Sequence, residues 1–345
     1  MYRKLSYRLA ILAVAGVLVL SGCSPQATPT SPALQPGNTA TVPSATDTAG
    51  PEPSPTSQPT PMSEPTPEAI VLTDGLGRTV TLEAPAQRIV SMAPSITESL
   101  FAIGADEQVI GRDEFSNYPP EVSDLPSIGG FFSDFNYEAT VELEPDLVLA
   151  AEINTPEQVQ TLEDLGLTVF LVSNPTTLEA MYDSLNVLAQ LTGHEAEAAN
   201  LIDSLRTRVD AVEEKIAEVE ERPGVFYELD STDPSAPYTA GSGTFINTLI
   251  ELAGGENIAA SLEDQYPQIS IEELLVQDPD IILLGDAAYG ATPEAVAQRT
   301  GWSALSAVQN GQIYPFNDDL ASRPGPRLVD GLEELARLLH PELYE

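Results

Sequence analysis

A twelve-residue unit occurs twice in this chain, as Glu138-Ala-Thr-Val-Glu-Leu-Glu-Pro145-Asp146-Leu-Val-Leu and, 134 residues later, as Glu272-Glu-Leu-Leu-Val-Gln-Asp-Pro279-Asp280-Ile-Ile-Leu. In each copy a Glu stands seven residues ahead of a Pro-Asp pair that opens an apolar run. Two ordinary helix–strand units account for this, since Pro-Asp commonly punctuates such joins. A duplicated lobe accounts for it as well, and for a spacing close to half of the 277 residues from 69 to 345. The flanking sequence alternates in the same way in both halves. Arg88 to Met92, Ala150 with the residues before it, and Leu167 to Val172 read as strands, as do Val225 to Leu229 and Ile281 to Leu284. Between them Ser95-Ile-Thr-Glu98 fits a capping box for a short helix stopping at Gly104, and Thr155-Pro156-Glu157 opens another helix closed by Gly166. A third helix, Phe245 to Ala253, ends at Gly254-Gly255. Strands alternating with helices predict parallel α/β sheets.

Between the halves, Ala198, Leu201, Ile202, Leu205, Val209, Val212, Ile216 and Val219 recur at helical spacing across Glu195 to Glu221, before the stop signal Arg222-Pro223-Gly224. A coiled-coil partner helix is the alternative, but clean heptads are not sustained. The expected fold is therefore two Rossmann-like α/β lobes, 69–194 and 223–345, joined by one long rigid helix over 195–222.

The N-terminus reads as a separate device. Arg3, Lys4 and Arg8 precede an apolar run, Leu9 to Leu20, too short to span a bilayer comfortably and suited to a signal peptide over 1–22. Leu20-Ser21-Gly22-Cys23 resembles a bacterial lipobox, with the sole cysteine where lipidation requires it; a buried free thiol is the other reading. Acyl chains at about 0.8 kcal/mol per buried CH₂ give lasting anchorage without a transmembrane helix. The 45 residues from Ser24 to Glu68 hold 12 Pro, nine Thr and six Ser with no aromatic residue, a disordered stalk that extends the lipidated segment 23–68. The expected location is the outer face of the cell membrane.

Charge and composition exclude much else. Residues 69–345 carry 49 acids against 11 cations, which repels phosphate backbones, so no nucleic-acid partner is expected. Only one lysine, Lys215, follows the signal peptide, and this acidity suits a saline habitat. With one cysteine and two histidines, His194 and His340, no Cys-ligated or His-rich metal site is available, and both histidines read as surface helix caps. Gly241-Ser-Gly-Thr244 lacks the lysine and spacing of a phosphate-cradling loop and reads as a turn and helix cap beside a ligand. No catalytic constellation emerges. A carboxylate pair for glycoside hydrolysis stays open among so many acids, so a lipid-anchored extracellular hydrolase is the rival from another class.

Arg88-Ile-Val-Ser-Met-Ala-Pro-Ser-Ile-Thr-Glu98, Asn117-Tyr-Pro-Pro120 and Glu144-Pro-Asp-Leu-Val148 resemble the N-lobe of bacterial solute-binding proteins for vitamin B12 and ferric siderophores. Tyr238-Thr-Ala-Gly241, Gly254-Gly-Glu-Asn-Ile258 and Tyr266-Pro-Gln268 resemble their C-lobe, and the likeness runs through nearly all of 70–345. It implies a monomeric class III periplasmic binding protein without enzymatic activity. Such a protein captures cobalamin or a related corrinoid between its lobes and delivers it to an ABC permease dimer driven by a cytoplasmic ATPase. A ferric siderophore is the alternative cargo, and haem, ligated by Tyr238, Tyr266 or Met92, is a third. The resemblance implies no cofactor of the protein's own and no metal ligated in isolation; the metal arrives inside the ligand. It maps ligand contacts onto Pro94, Phe115, Phe132, Leu229, Tyr238, Tyr266 and Arg323, and permease docking onto Glu138 and Glu272, the pair the repeat had already picked out. For the aromatic positions, core packing is the competing role, and for the two glutamates it is solvated helix ends. The chain departs from the B12 pattern in having Phe132, Ala151 and Tyr266 where tryptophans can stand, its only Trp being Trp302.

Overall fold

The structure, a computed structural model, describes residues 69–130 and 135–345; the signal peptide, Cys23, the stalk and Phe132 lie outside the described residues. A hairpin of β1 (Ile70–Thr73) and β2 (Thr79–Leu82) opens the described chain. Its turn is held by Asp74, which accepts from the Leu76 and Arg78 amides at 3.0 and 2.9 Å.

The first half then supplies β3 (Ile89–Ser91), α1 (Pro94–Ala102), β4 (Val109–Arg112), α2 (Tyr137–Glu142), β5 (Leu147–Ala151), α3 (Pro156–Asp164), β6 (Val169–Val172) and α4 (Leu178–Thr192). After α5 (Glu195–Ile216), the second half supplies β7 (Gly224–Glu228), α6 (Phe245–Leu252), β8 (Glu256–Asn257), α7 (Ile271–Gln277) and β9 (Ile281–Leu284). Helices α8 (Pro293–Ala297) and α9 (Ser306–Gln309), strand β10 (Ile313–Pro315), and helices α10 (Asp319–Ser322) and α11 (Leu328–Leu339) complete it.

Both sheets are four-stranded and wholly parallel, ordered β4-β3-β5-β6 and β8-β7-β9-β10. Counted along the chain, each lobe places its strands in the same sequence, second, first, third, fourth. Duplicate topology therefore underlies the repeated twelve residues. The Pro-Asp pairs have a common physical role. Asp146 accepts from the Gln87 and Arg88 amides at 2.8 and 3.0 Å, and Asp280 from the Gly224 amide at 2.8 Å, tying the mouth of the third strand to that of the first. The residues just before the prolines, Glu144 and Asp278, are the only described non-glycine residues with positive φ, at 48° and 42°. A proline disfavours right-handed helix in the residue before it, so α2 and α7 end in the same left-handed turn.

Alternation along the central strands sorts their side chains between two faces. Leu147, Leu149, Ile281 and Leu283 point into one core that also takes α1, α4, α5, α6 and α11. Val148 and Ala150 face a second, N-lobe cluster, and Ile282 and Leu284 a third, around Trp302. Helix α5 is embedded in the shared core through Ala198, Ile202, Leu205, Val209, Val212 and Ile216. Burying each of the larger ones is worth about 1.5–3 kcal/mol, which makes the connection stiff. The helix ends at Ile216, short of the expected 222. Glu218, Glu220 and Glu221 oppose the negative C-terminal end of the dipole, and Pro223 disfavours helix before it.

Arg208 on α5 donates to Glu333 at 2.9 Å and Asp330 at 2.6 Å on α11. The Arg208 hydrogen bond holds the Glu333 carboxyl below its ordinary 4.5. Being more acidic folded than unfolded, Glu333 contributes stability that is present at neutral pH and lost as pH falls through its folded value. Titrating unfolding free energy against pH should give a shallower acid limb for Arg208→Ala than for the parent chain. Equal slopes would dismiss the contact as a solvated pair.

Candidate functional site

In a parallel sheet whose chain moves first to one side and then to the other, the loops leaving the first and third strands diverge and open a crevice at their carboxyl ends. Here those loops are Met92 to Ser95 after β3 and Glu152 to Asn154 after β5 in one lobe, and Leu229 to Thr232 after β7 and Gly285 to Gly290 after β9 in the other. All four line a connected set of recesses between and beside the lobes.

The largest recess, about 590 Å³, runs from Pro94, Phe115 and Ile153 of the N-lobe to Tyr266, Arg323 and Pro324 of the C-lobe. One of about 230 Å³ continues from Phe115 and Ile153 past Met92 and Phe135 to Tyr289. A third, of about 540 Å³, lies in the C-lobe between Leu229, Asp230, Asp286 and Tyr289. The fourth, about 220 Å³, is polar and includes Glu152, Asn174, Gly243 and Thr244. Thr244 caps α6 by accepting from the Asn247 amide at 3.1 Å, so the glycine-rich stretch is a turn and cap, as its sequence suggested.

The two recesses that share Phe115 and Ile153 have mainly apolar walls. Phe115, Ile153 and Tyr266 are each about half exposed, and Tyr289 is 91% exposed. Tyr289 owes its position to two glycines. A Cβ on Gly285 would lie 2.5 Å from the Tyr227 ring, so only glycine lets the chain turn out of β9 there. Gly290, at φ 106°, then reverses it. Large aromatic faces gathered at a crevice mark a surface that another molecule covers.

The floor is ionic. Glu98 of α1 is buried in the N-lobe yet bonded to the other lobe: Arg323 Nη1 donates to it at 2.8 Å, and Arg327 Nε and Nη2 at 2.8 and 2.6 Å. Arg323 also donates to Asn117 Oδ1 at 2.8 Å and pairs with Asp319 at 2.9 Å. Arg327 lies 4.0 Å from the Tyr118 ring centre. The expected capping box at Ser95–Glu98 is consequently not formed. Pro94 is the first helical residue, the N-cap is Ala93 without a side-chain bond, and the Glu98 carboxylate is engaged across the lobes instead.

A model of the family described as Periplasmic binding protein matches residues 89–320. The chain belongs to that family. It is 32% identical over 281 residues to YvrC of Bacillus subtilis, an uncharacterized ABC transporter substrate-binding lipoprotein, covering 80% of this chain and 87% of that one. It is 32% identical to a cobalamin-binding protein of Halobacterium salinarum, covering 84% and 79%. Among solved structures it resembles the vitamin B12-binding protein BtuF of Vibrio cholerae, with a TM-score of 0.63 at 29% identity, covering 76% and 99%. It also resembles the heme-binding protein RhuT of Roseiflexus, with a TM-score of 0.67 at 26% identity, covering 75% and 99%. The two-lobed class III architecture is thus that of the family.

In this periplasmic binding protein, Pro94, Phe115, Leu229, Tyr266 and Arg323 all line the recesses. Tyr238 is exposed but is not among the residues lining them; its backbone bridges Asp230 and Gln268. Phe132 lies outside the described residues. Ile153 and Tyr289 were missed, although the repeat carries a signal for them, since each lies in the loop after the strand that a Pro-Asp pair opens. Glu138 and Glu272 are exposed at the second position of α2 and α7. His340, expected at the surface, is buried, with its ring nitrogen 3.1 Å from the Gly254 carbonyl oxygen. Trp302 is also buried, packed on Phe226 and stacked under Arg299.

Proposed function

We propose that this chain is the lipid-anchored capture subunit of an ABC importer that takes up cobalamin or a related corrinoid. The observation that carries the reading is the aromatic-walled crevice between the lobes, with Phe115 and Ile153 facing Tyr266 and Tyr289. A corrin is broad, largely apolar on its faces and rimmed by amides, and such a crevice offers ring faces with a few polar groups at the edges. The cobalamin- and B12-binding relatives support the same cargo. The rival hydrolase would need a carboxylate pair about 5–10 Å apart facing the crevice, with one of the two shifted in pKa. Burial raises the Asp113 carboxyl, but Asp113 is engaged by Ser116 and by the Phe115 amide, at 2.8 Å for the amide.

Release to a permease involves Glu138 and Glu272 in this reading. Each sits one helical turn from an exposed apolar residue, Val141 or Leu275, at matching points of the repeat. Two equivalent carboxylates suit a partner with paired cationic pockets. Cys23, once acylated, would hold the assembly at the membrane.

Equilibrium titration of the purified chain with cyanocobalamin, followed by tyrosine fluorescence, is expected to saturate with micromolar or tighter affinity, about −8 kcal/mol or better. Tyr289→Ala, a change at an exposed position, should weaken that binding by about tenfold, the value of one lost aromatic face. Saturation by a ferric chelate alone would replace the cargo and keep the crevice. Undiminished affinity in Tyr289→Ala would place the ligand elsewhere.

A further inference from the structure

The crevice has a charge character that its shape alone does not convey. Of the 11 cations in residues 69–345, Arg299 and Arg323 line the recesses described above. Neither offers a free charge. Arg323 is held by Glu98, whose side chain is 2% exposed, and by Asp319. Arg299 is paired through both terminal nitrogens with Glu228, whose side chain is fully buried, and its flat face is covered by Trp302 at 4.6 Å. Arg327, behind Arg323, is bound to the same Glu98.

The carboxylates that line the recesses have no such partners among the described residues. Glu152 and Asp230 are exposed, and Asp286 accepts only from the amide and hydroxyl of Ser231, at 3.2 and 2.5 Å. Hydrogen bonds from Thr232 hold Asp230 below the ordinary carboxylate range, so it stays ionised. Asp113 differs in being buried, which raises its carboxyl, and in accepting hydrogen bonds from the Phe115 and Ser116 amides. A tyrosinate contact to iron is also disfavoured, since burial and the nearby Asp318 charge push the Tyr266 phenol up.

We infer that the crevice selects uncharged or cationic ligands and rejects anionic ones: its arginines are neutralised within the protein, whereas Glu152, Asp230 and Asp286 leave it net negative. This rests on the reading of the crevice as the ligand site, and it narrows the cargo. Amide-rimmed corrinoids fit, as do ferric tris-hydroxamates, in which the ligand charges cancel that of the metal. Ferric tris-catecholates, and porphyrins entering by their carboxylates, do not. The acidity of the whole body acts in the same direction at longer range.

The test compares matched ligands on the full chain in detergent by equilibrium dialysis at low salt. One pair is cyanocobalamin and the same corrinoid with peripheral amides hydrolysed to carboxylates; the other is a ferric tris-hydroxamate and a ferric tris-catecholate. In whichever class binds, the uncharged member is expected to bind at least about tenfold more tightly. Glu152→Lys, at an exposed position, should shrink that ratio about threefold or more, and added salt should shrink it too. An anionic member that binds as tightly as its neutral partner, or a ratio indifferent to Glu152→Lys, overturns the inference. Binding of the hydroxamate without the corrinoid would overturn only the corrinoid reading.

Discussion

Reversing both of the carboxylates proposed to dock on the permease, Glu138→Arg with Glu272→Arg, is expected to cut cobalamin uptake by cells at least tenfold while leaving cobalamin affinity unchanged. Both residues are exposed, on short helices at matching points of the repeat, so their replacement disturbs no packed group. Against the cationic pockets proposed on the permease, each reversal would turn attraction into a like-charge contact costing several kcal/mol, and every 1.4 kcal/mol is about a factor of ten in docking. A single reversal leaves one lobe able to engage and should cause a smaller loss. Val141→Ser with Leu275→Ser, touching only the neighbouring apolar residues, should give an intermediate defect. The uptake assay needs cells in which this chain is the sole binding protein, with dialysis of the purified variant beside it. Normal uptake by the double reversal would mean that these carboxylates are solvated helix ends and nothing more.

What could be read from sequence follows a physical rule. Features set by neighbours along the chain were visible: the apolar runs of β5 and β9, the Pro-Asp joins, the glycine stops and the apolar stripe of α5. Features set by residues far apart in sequence were not. Ser95-Ile-Thr-Glu98 carries the local signature of a capping box, but the arginines that claim Glu98 stand at 323 and 327, more than two hundred residues away. No local pattern announces such a pairing. The β1–β2 hairpin escaped for a different reason: its turn is local, with Asp74 accepting from the Leu76 and Arg78 amides, but its strands are only four residues each and half exposed, too short for a clear apolar pattern. Tyr289 was hidden in the opposite sense. A lone tyrosine between glycines in a loop has no periodicity, and only the position of its strand in the sheet brings it to the crevice. The repeat is what connects the two levels, since identical strand order in the lobes makes a loop in one a guide to its counterpart in the other.

Replacing Glu98 with alanine is expected to destabilise the protein by about 3–5 kcal/mol, the usual result of removing one partner from a buried ion pair. The carboxylate accepts three charge-assisted hydrogen bonds from two arginines whose side chains are themselves only 15% and 12% exposed. Without it Arg323 keeps Asn117 and Asp319, whereas among the described residues Arg327 keeps the Tyr118 face and Asp319 at 3.9 Å. The resulting excess positive charge must either stay dry or be hydrated by moving the lobes apart. Glu98→Gln preserves shape and some hydrogen bonding, so its cost should be smaller, about 1–3 kcal/mol. Arg323→Ala should also cost less than Glu98→Ala, because Arg327 continues to neutralise the carboxylate. Denaturant unfolding distinguishes these cases: the midpoint should fall in the order given while the slope is unchanged, since one continuous core spans both lobes and the surface exposed on unfolding stays the same. A loss below about 1 kcal/mol for Glu98→Ala, the range of solvated surface pairs, would show that the lobes part easily at this point. The inter-lobe floor would then be a contact of one conformation, and Arg323 would be available to the ligand after all.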